Sequence, residues 1–213
     1  MKTRDRIIAA ALHLFNEVGY GTVTTASLAE HLGMAEGNLW YHFKTKRALL
    51  DAIGERYVAR FEARLALVPQ GDPVEAYARL LAAITAELRD YRFLYRDQPA
   101  YGDHAAVIAE RAEEWIRRTY RQFELHLAAL VAAGVLDLPA ERLPDLAINA
   151  SILLRYGLEH ERELGVATAS GTGAVRRTLL RHLTLFDHAL APPALAHLRR
   201  AIDQIEVAPP LAA

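Results

Sequence analysis

One run of 28 residues, Val23–Leu50, constrains this chain more than any other: VTTASLAEHLGMAEGNLWYHFKTKRALL. It predicts two short helices separated only by Gly33-Met34-Ala35. A turn that tight needs a residue at ease with a positive φ, and Gly33 supplies it. Leu28, Ala29 and Leu32 fall on the inner side, where the small Ala29 lets the second helix approach closely. Met34, Leu39 and Phe43 close the little core from the other side. Ala35, Glu36, Asn38, Trp40, Tyr41 and His42 are left less constrained, several of them on the outer face of the second helix. The run is a helix-turn-helix pattern.

The same reading extends to the whole chain. Alanine, leucine, arginine and glutamate dominate long stretches and favour helix, and no alternating strand pattern with hairpin turns occurs, so the expected fold is all-α. A first helix spans about Thr3 to Val18, with Ile8, Leu12 and Phe15 on one stripe and Gly19 as a left-handed cap. Thr24 or Thr25 caps the next helix, a third begins near Glu36, and Thr45 caps a long fourth. The linker Pro69–Pro73 precedes a helix from about Val74 to Asp90. Further helices are expected over about Ala105–Ala133, Asp145–Leu164, Ala174–Ala189 and Ala194–Ile205, with Pro192-Pro193 as punctuation. The expected domains are 1–47, a three-helix helix-turn-helix; 48–207, a helical domain; and a frayed tail, 208–213.

Composition excludes several functions. The chain has no cysteine, which rules out disulfides, thiol catalysis and cysteine-held zinc. Hydrophobic residues make up 52% of it, enough for a sizeable core. The charged N-terminus lacks a signal-peptide core, and runs such as Leu127–Leu136 fall short of a membrane span; the expectation is a soluble, cytoplasmic protein. The formal net charge is −1, so any surface for nucleic acid must be local. Residues 1–50 carry six cations and four anions, a balance of +2 that leaves −3 for the remainder. The sign favours DNA at this end, but the motif carries the reading.

The outer face of the third helix has the chemistry to read a duplex. Asn38 can donate to and accept from a base edge, and Ala35 can touch a thymine methyl. Tyr41 and His42 can bond to phosphates or bases. Glu36 can accept from a cytosine amino group or point away. Lys44, Lys46 and Arg47 add positive charge, and the starts of the helices at Thr24-Thr25 and Thr45-Lys46 offer free N–H groups to phosphates.

These residues resemble the DNA-binding domain of TetR-family regulators. The shared pattern is Gly19-Tyr20, Thr24, Leu28-Ala29, Gly33-Met34-Ala35, Gly37-Asn38-Leu39-Trp40, His42-Phe43, Lys46 and Leu49-Leu50. Trp40 stands where tyrosine is usual, and Ala35 where serine often caps the third helix. The segment Tyr91–Asp97, Tyr-Arg-Phe-Leu-Tyr-Arg-Asp, resembles a subset of the family. The resemblance implies DNA contacts at Thr24, Thr25, Ala35, Asn38, Trp40, Tyr41, His42 and Lys46. It also implies a homodimer, usually a repressor, released from a palindromic operator by a small-molecule effector.

A single reading head binds one half-site weakly, so a dimer surface is expected elsewhere. Ile148 and Ile152, with Tyr156, form one stripe, and Leu179, Leu183 and Phe186 another; four such helices from two chains make a bundle. The expected effector pocket draws on Tyr91, Phe93, Tyr95, Arg96, Tyr101, Trp115, Arg118, Phe123, Asn149 and Tyr156, for a molecule that is apolar with an acidic group. His160 and its neighbouring glutamates point around a helix and do not converge, so no metal and no cofactor is expected. The rival reading is a small helical enzyme or ligand-binding protein with a helix-turn-helix-like segment; no catalytic or phosphate-loop motif supports an enzyme.

Overall fold

A computed structural model describes residues 2–97, 110–168 and 171–207. The helices are α1 (Thr3–Val18), α2 (Thr25–His31), α3 (Glu36–His42), α4 (Lys46–Leu65), α5 (Pro73–Asp90), α6 (Arg92–Arg96), α7 (Ala112–Ala132), α8 (Leu143–Glu163), α9 (Ala174–Leu183) and α10 (Pro192–Val207). Among the described residues the only β pairing is an isolated antiparallel bridge, Leu136 with Leu190. The start of the expected long helix near Ala105, Tyr101, and the tail 208–213 lie outside the described residues; α7 itself begins at Ala112, after a turn at 110–111. Among the described residues no helix is long and apolar enough to cross a membrane.

The chain divides into two compact units. One comprises the described residues of 1–62 and 87–112, the other those of 63–86 and 113–210. In the first, the 3.6-residue period of α1 puts Ile7, Ile8, Ala11 and Phe15 on one buried face. Leu28, Ala29, Leu39, Phe43, Leu49, Leu50 and Ile53 complete this core. Gly19 ends α1, donating its N–H to Phe15 O, but at φ 93° and ψ 145° it lies outside the left-handed helical region expected of it.

The segment Tyr91–Asp97 belongs to this same unit. Phe93, fully buried, packs on Phe15 with ring centroids 5.2 Å apart. The last carbonyls of α1 have no partners within their own helix, and arginines supply them. Arg92 donates to Asn16 O at 3.0 Å, and Arg96 to Asn16 O at 2.9 Å and Phe15 O at 2.7 Å. The Asn16 side chain donates to Asp90 O and accepts from Phe93 N, and Asp97 accepts from Tyr20 N at 2.6 Å.

In the second unit, Tyr77, Phe123, His182 and Phe186 form a buried aromatic cluster. The Tyr77 and His182 rings stack 5.9 Å apart, and the Tyr77 hydroxyl lies 2.7 Å from His182 Nε2. Complete burial lowers the His182 pKa to about 3. Helices α8 and α9 approach closely at Gly157, where a Cβ would lie 2.3 Å from Thr178 Cγ2. The buried Glu206 caps α9 by accepting from Gly173 N at 2.8 Å and Arg176 N at 2.7 Å.

Two helix boundaries depart from the sequence reading. Helix α9 stops at Leu183 rather than near Ala189 because i→i−3 bonds from Leu185 and Phe186 tighten the turn and Phe186 swings fully into the core. Pro192 and Pro193 open α10 instead of preceding it: in a first turn the missing N–H costs nothing.

Candidate nucleic-acid interface

The Val23–Leu50 run folds as its residue chemistry dictates. Thr24 caps α2 in a reciprocal box with Ser27: Thr24 Oγ1 accepts from Ser27 N, and Ser27 Oγ accepts from Thr24 N, each at 3.0 Å. At the other end Gly33 takes φ 63°, and the Met34 N–H donates back to Ala29 O at 3.0 Å. Ala35 precedes α3 without any side-chain cap, as expected where serine is missing. Thr45 caps α4 by accepting from Ala48 N at 3.0 Å.

Helix α3 is sorted into two faces. Leu39 and Phe43 are 1% and 3% exposed, whereas Trp40 and Tyr41 are 39% and 78% exposed. Ala35, Glu36, Gly37 and Asn38 are exposed beside them, and His42 is half-buried with its ring edge-on to Tyr41 at 5.3 Å. Exposed aromatic rings on a short helix cost solvation unless a partner covers them. The face offers an amide, a phenol, an indole N–H and an imidazole, all able to bond to base edges or phosphates. Exposed Lys44 and Arg47 bring positive charge nearby.

The remaining expected DNA contacts are placed less freely. Thr24 is exposed but committed to its cap, and Thr25 is half-buried, donating its hydroxyl to Glu36 Oε1 at 2.7 Å. Lys46 donates its ammonium to Tyr20 O and lies 4.1 Å from the Tyr20 ring centroid. Burial lowers the Lys46 pKa and raises that of Tyr20. Glu36, for which the sequence leaves open a cytosine amino group or an outward orientation, is exposed at the head of α3, where its carboxylate accepts from Thr25.

The residues expected to line an effector pocket are split between the two units. Tyr91, Phe93, Tyr95 and Arg96 lie in the first, where Tyr95 shares a 2.6 Å hydrogen bond with Tyr57 and donates to buried Glu87 at 3.1 Å. Trp115 and Phe123 are buried in the second; there Arg118 is half-buried near Glu114, and Asn149 and Tyr156 are exposed on α8. Tyr101 is outside the described residues. Of the two expected dimer stripes, only one is open. Ile148 is half-buried, and Ile152 and Tyr156 are 47% and 54% exposed. Leu179, Leu183 and Phe186 are at most 2% exposed, so they fill their own core and cannot meet a partner, contrary to the sequence expectation. Among the described residues, no group of three or more His, Asp or Glu side chains is arranged to hold a metal.

Comparison with known proteins agrees with this geometry. A family model described as bacterial regulatory proteins, tetR family, matches residues 7–53, and one described as bacterial transcriptional repressor, TetR, matches residues 56–198. The class A tetracycline repressor protein from transposon 1721 of Escherichia coli is 41% identical over 93 residues, 44% of this chain and 41% of that relative. Matches to five such tetracycline repressors span between 24% and 41% of the relatives' lengths. An HTH-type transcriptional repressor of Mycobacterium tuberculosis is 24% identical over 193 residues, covering 91% of this chain and 69% of that one. A crystal structure of a TetR-family transcriptional regulator from Marinobacter aquaeolei has the same fold, with a TM-score of 0.74, 24% identity, and coverage of 96% of this chain and 99% of that one.

Proposed function

The chain belongs to the TetR family of bacterial transcriptional regulators, and from that premise we propose that it is a repressor that binds a palindromic operator as a homodimer and releases it on binding a small molecule. It acts by binding and not by catalysis. The observation that carries the reading is the division of α3 and its C-cap residue into a buried side, Leu39 and Phe43, and an exposed side, Asn38, Trp40 and Tyr41. Asn38, Trp40, Tyr41 and His42 enter the major groove, with Ala35 beside them. Thr24, Thr25 and the start of α4 lie along phosphates, and Lys46 braces the head from within.

Two heads bind two half-sites spaced about 34–36 Å apart, or a multiple of that. The exposed Ile152 and Tyr156 on α8, with Ile148, support a pairing face for the second copy. The effector is a small, largely apolar molecule with an acidic group, taken up among the C-terminal helices; inward-facing Trp115 and Phe123, with Arg118 one turn beyond Trp115, support that chemistry. Helix α4 contributes residues to both units and so can pass a change from one to the other. Near-complete release requires the effector to prefer the non-binding state by about 10⁴-fold.

Selection from a pool of duplexes with a randomised core tests the reading. The expected product is an inverted repeat bound as two half-sites, with affinity falling steeply with salt. Recovery of no enriched sequence, with no retention on duplex DNA, contradicts it.

A further inference from the structure

We propose that Glu36 is a base-reading residue, held in place by Thr25, and that it specifies a cytosine at one symmetric position of each half-site. The inference rests on the operator-binding reading above and adds a specificity determinant to it. Glu36 is the first residue of α3 and is exposed, on the same helix as exposed Asn38 and Tyr41. Thr25, the first residue of α2, donates its hydroxyl to Glu36 Oε1 at 2.7 Å. Among the described residues neither carboxylate oxygen has a Lys, Arg or His within ion-pair distance, and Oε2 has no hydrogen-bond partner.

That arrangement is unfavourable on a face that meets a polyanion unless the carboxylate gains a specific donor. An ionised carboxylate can only accept. In the major groove, guanine presents N7 and O6 acceptors and thymine its O4 acceptor, all of which repel it. Adenine offers its N6 amino group but sets its own N7 acceptor beside it, whereas cytosine's own ring sets only a C5–H beside its N4 amino group, the one acceptor next to that group being the O6 of the paired guanine. The Thr25 hydroxyl takes one oxygen and restrains the side chain, leaving the other oxygen of this exposed residue for a donor and lowering the rotamer freedom lost on binding. Reading by exclusion and acceptance together makes Glu36 discriminating even where it adds little affinity.

The experiment is a comparison of the sites selected from a randomised duplex pool by the wild-type chain, Glu36→Gln and Thr25→Val, with each protein's thermal unfolding recorded. The wild type should select cytosine at one position in each half-site and lose roughly tenfold affinity when that base pair is changed. Glu36→Gln should lose this cytosine and turn toward adenine, which a glutamine amide can bond at N6 and N7. Thr25→Val should keep the cytosine with reduced discrimination, because the carboxylate is no longer held. Glu36→Gln selecting the same base as wild type at every position, with the fold intact, overturns the inference while leaving operator binding standing. A wild-type chain that retains no duplex overturns both.

Discussion

The Lys46 ammonium group is bonded to the backbone carbonyl of Tyr20 and lies 4.1 Å from the centroid of that residue's ring. A lysine so placed ties the start of α4 to the loop that follows α1. Lys46→Met should therefore destabilise the protein by about 1–2 kcal/mol, through the lost hydrogen bond and cation–π contact. Lys44→Met, at an exposed site, should stay within about 0.5 kcal/mol of the parent. Urea unfolding of both variants checks this; equal stabilities contradict the bracing role.

Gly33 sits at φ 63° with open space where a Cβ would go. Gly33→Ala then costs only backbone strain, about 1–2 kcal/mol. Gly33→Asn should cost less, since asparagine tolerates this conformation better. Thermal unfolding of the two variants should rank them in that order, and an alanine variant as stable as the parent would show that the turn does not need glycine.

The crossing of α8 and α9 sets a different constraint. An alanine at position 157 puts its Cβ 2.3 Å from Thr178 Cγ2, and such overpacking costs about 1–3 kcal/mol. Thr178→Ser removes that methyl, so the double variant Gly157→Ala/Thr178→Ser should recover part of the loss. No recovery would place the strain elsewhere.

His182 makes stability depend on pH. Its folded pKa is lowered from 6.5 to about 3 by burial, so the folded state binds fewer protons than the unfolded one near pH 5. The stabilisation is complete above pH 6.5 and falls as pH drops toward 3, by about 2 kcal/mol at pH 5. His126, also lowered by burial, acts with the same sign. Unfolding free energies at pH 7.5 and 5.0 should therefore converge in His182→Gln. An unchanged pH dependence would mean that His182 is not the group that titrates.

The N-terminal helices are legible in the sequence because their signals are local. Thr24, Gly33 and Thr45 act on their own backbone neighbours, so the starts and turns of α2 and α4 follow from residue type. The apolar period also located Leu39 and Phe43 in the core and left Tyr41 outside. What periodicity does not reveal is which surface covers an apolar stripe. Leu179, Leu183 and Phe186 suit a partner chain as well as they suit Tyr77 and Phe123, and only the packing decides. Arg96 reads equally well as a ligand anchor, whereas the structure spends it, together with Arg92, on the end of α1, a partner 75 or more residues away. Residue type alone leaves Glu36 open between meeting a cytosine amino group and pointing away, because its bond to Thr25 depends on how α2 and α3 pack.

The most direct test of the central claim is the affinity of Asn38→Ala/Tyr41→Ala for the duplex that the wild type selects, measured beside the wild type at one salt concentration. Both side chains are exposed, so thermal unfolding should be unchanged. The account predicts a loss of about 10- to 100-fold in affinity for that duplex. Wild-type affinity in the double variant would mean that the outer face of α3 does not read DNA.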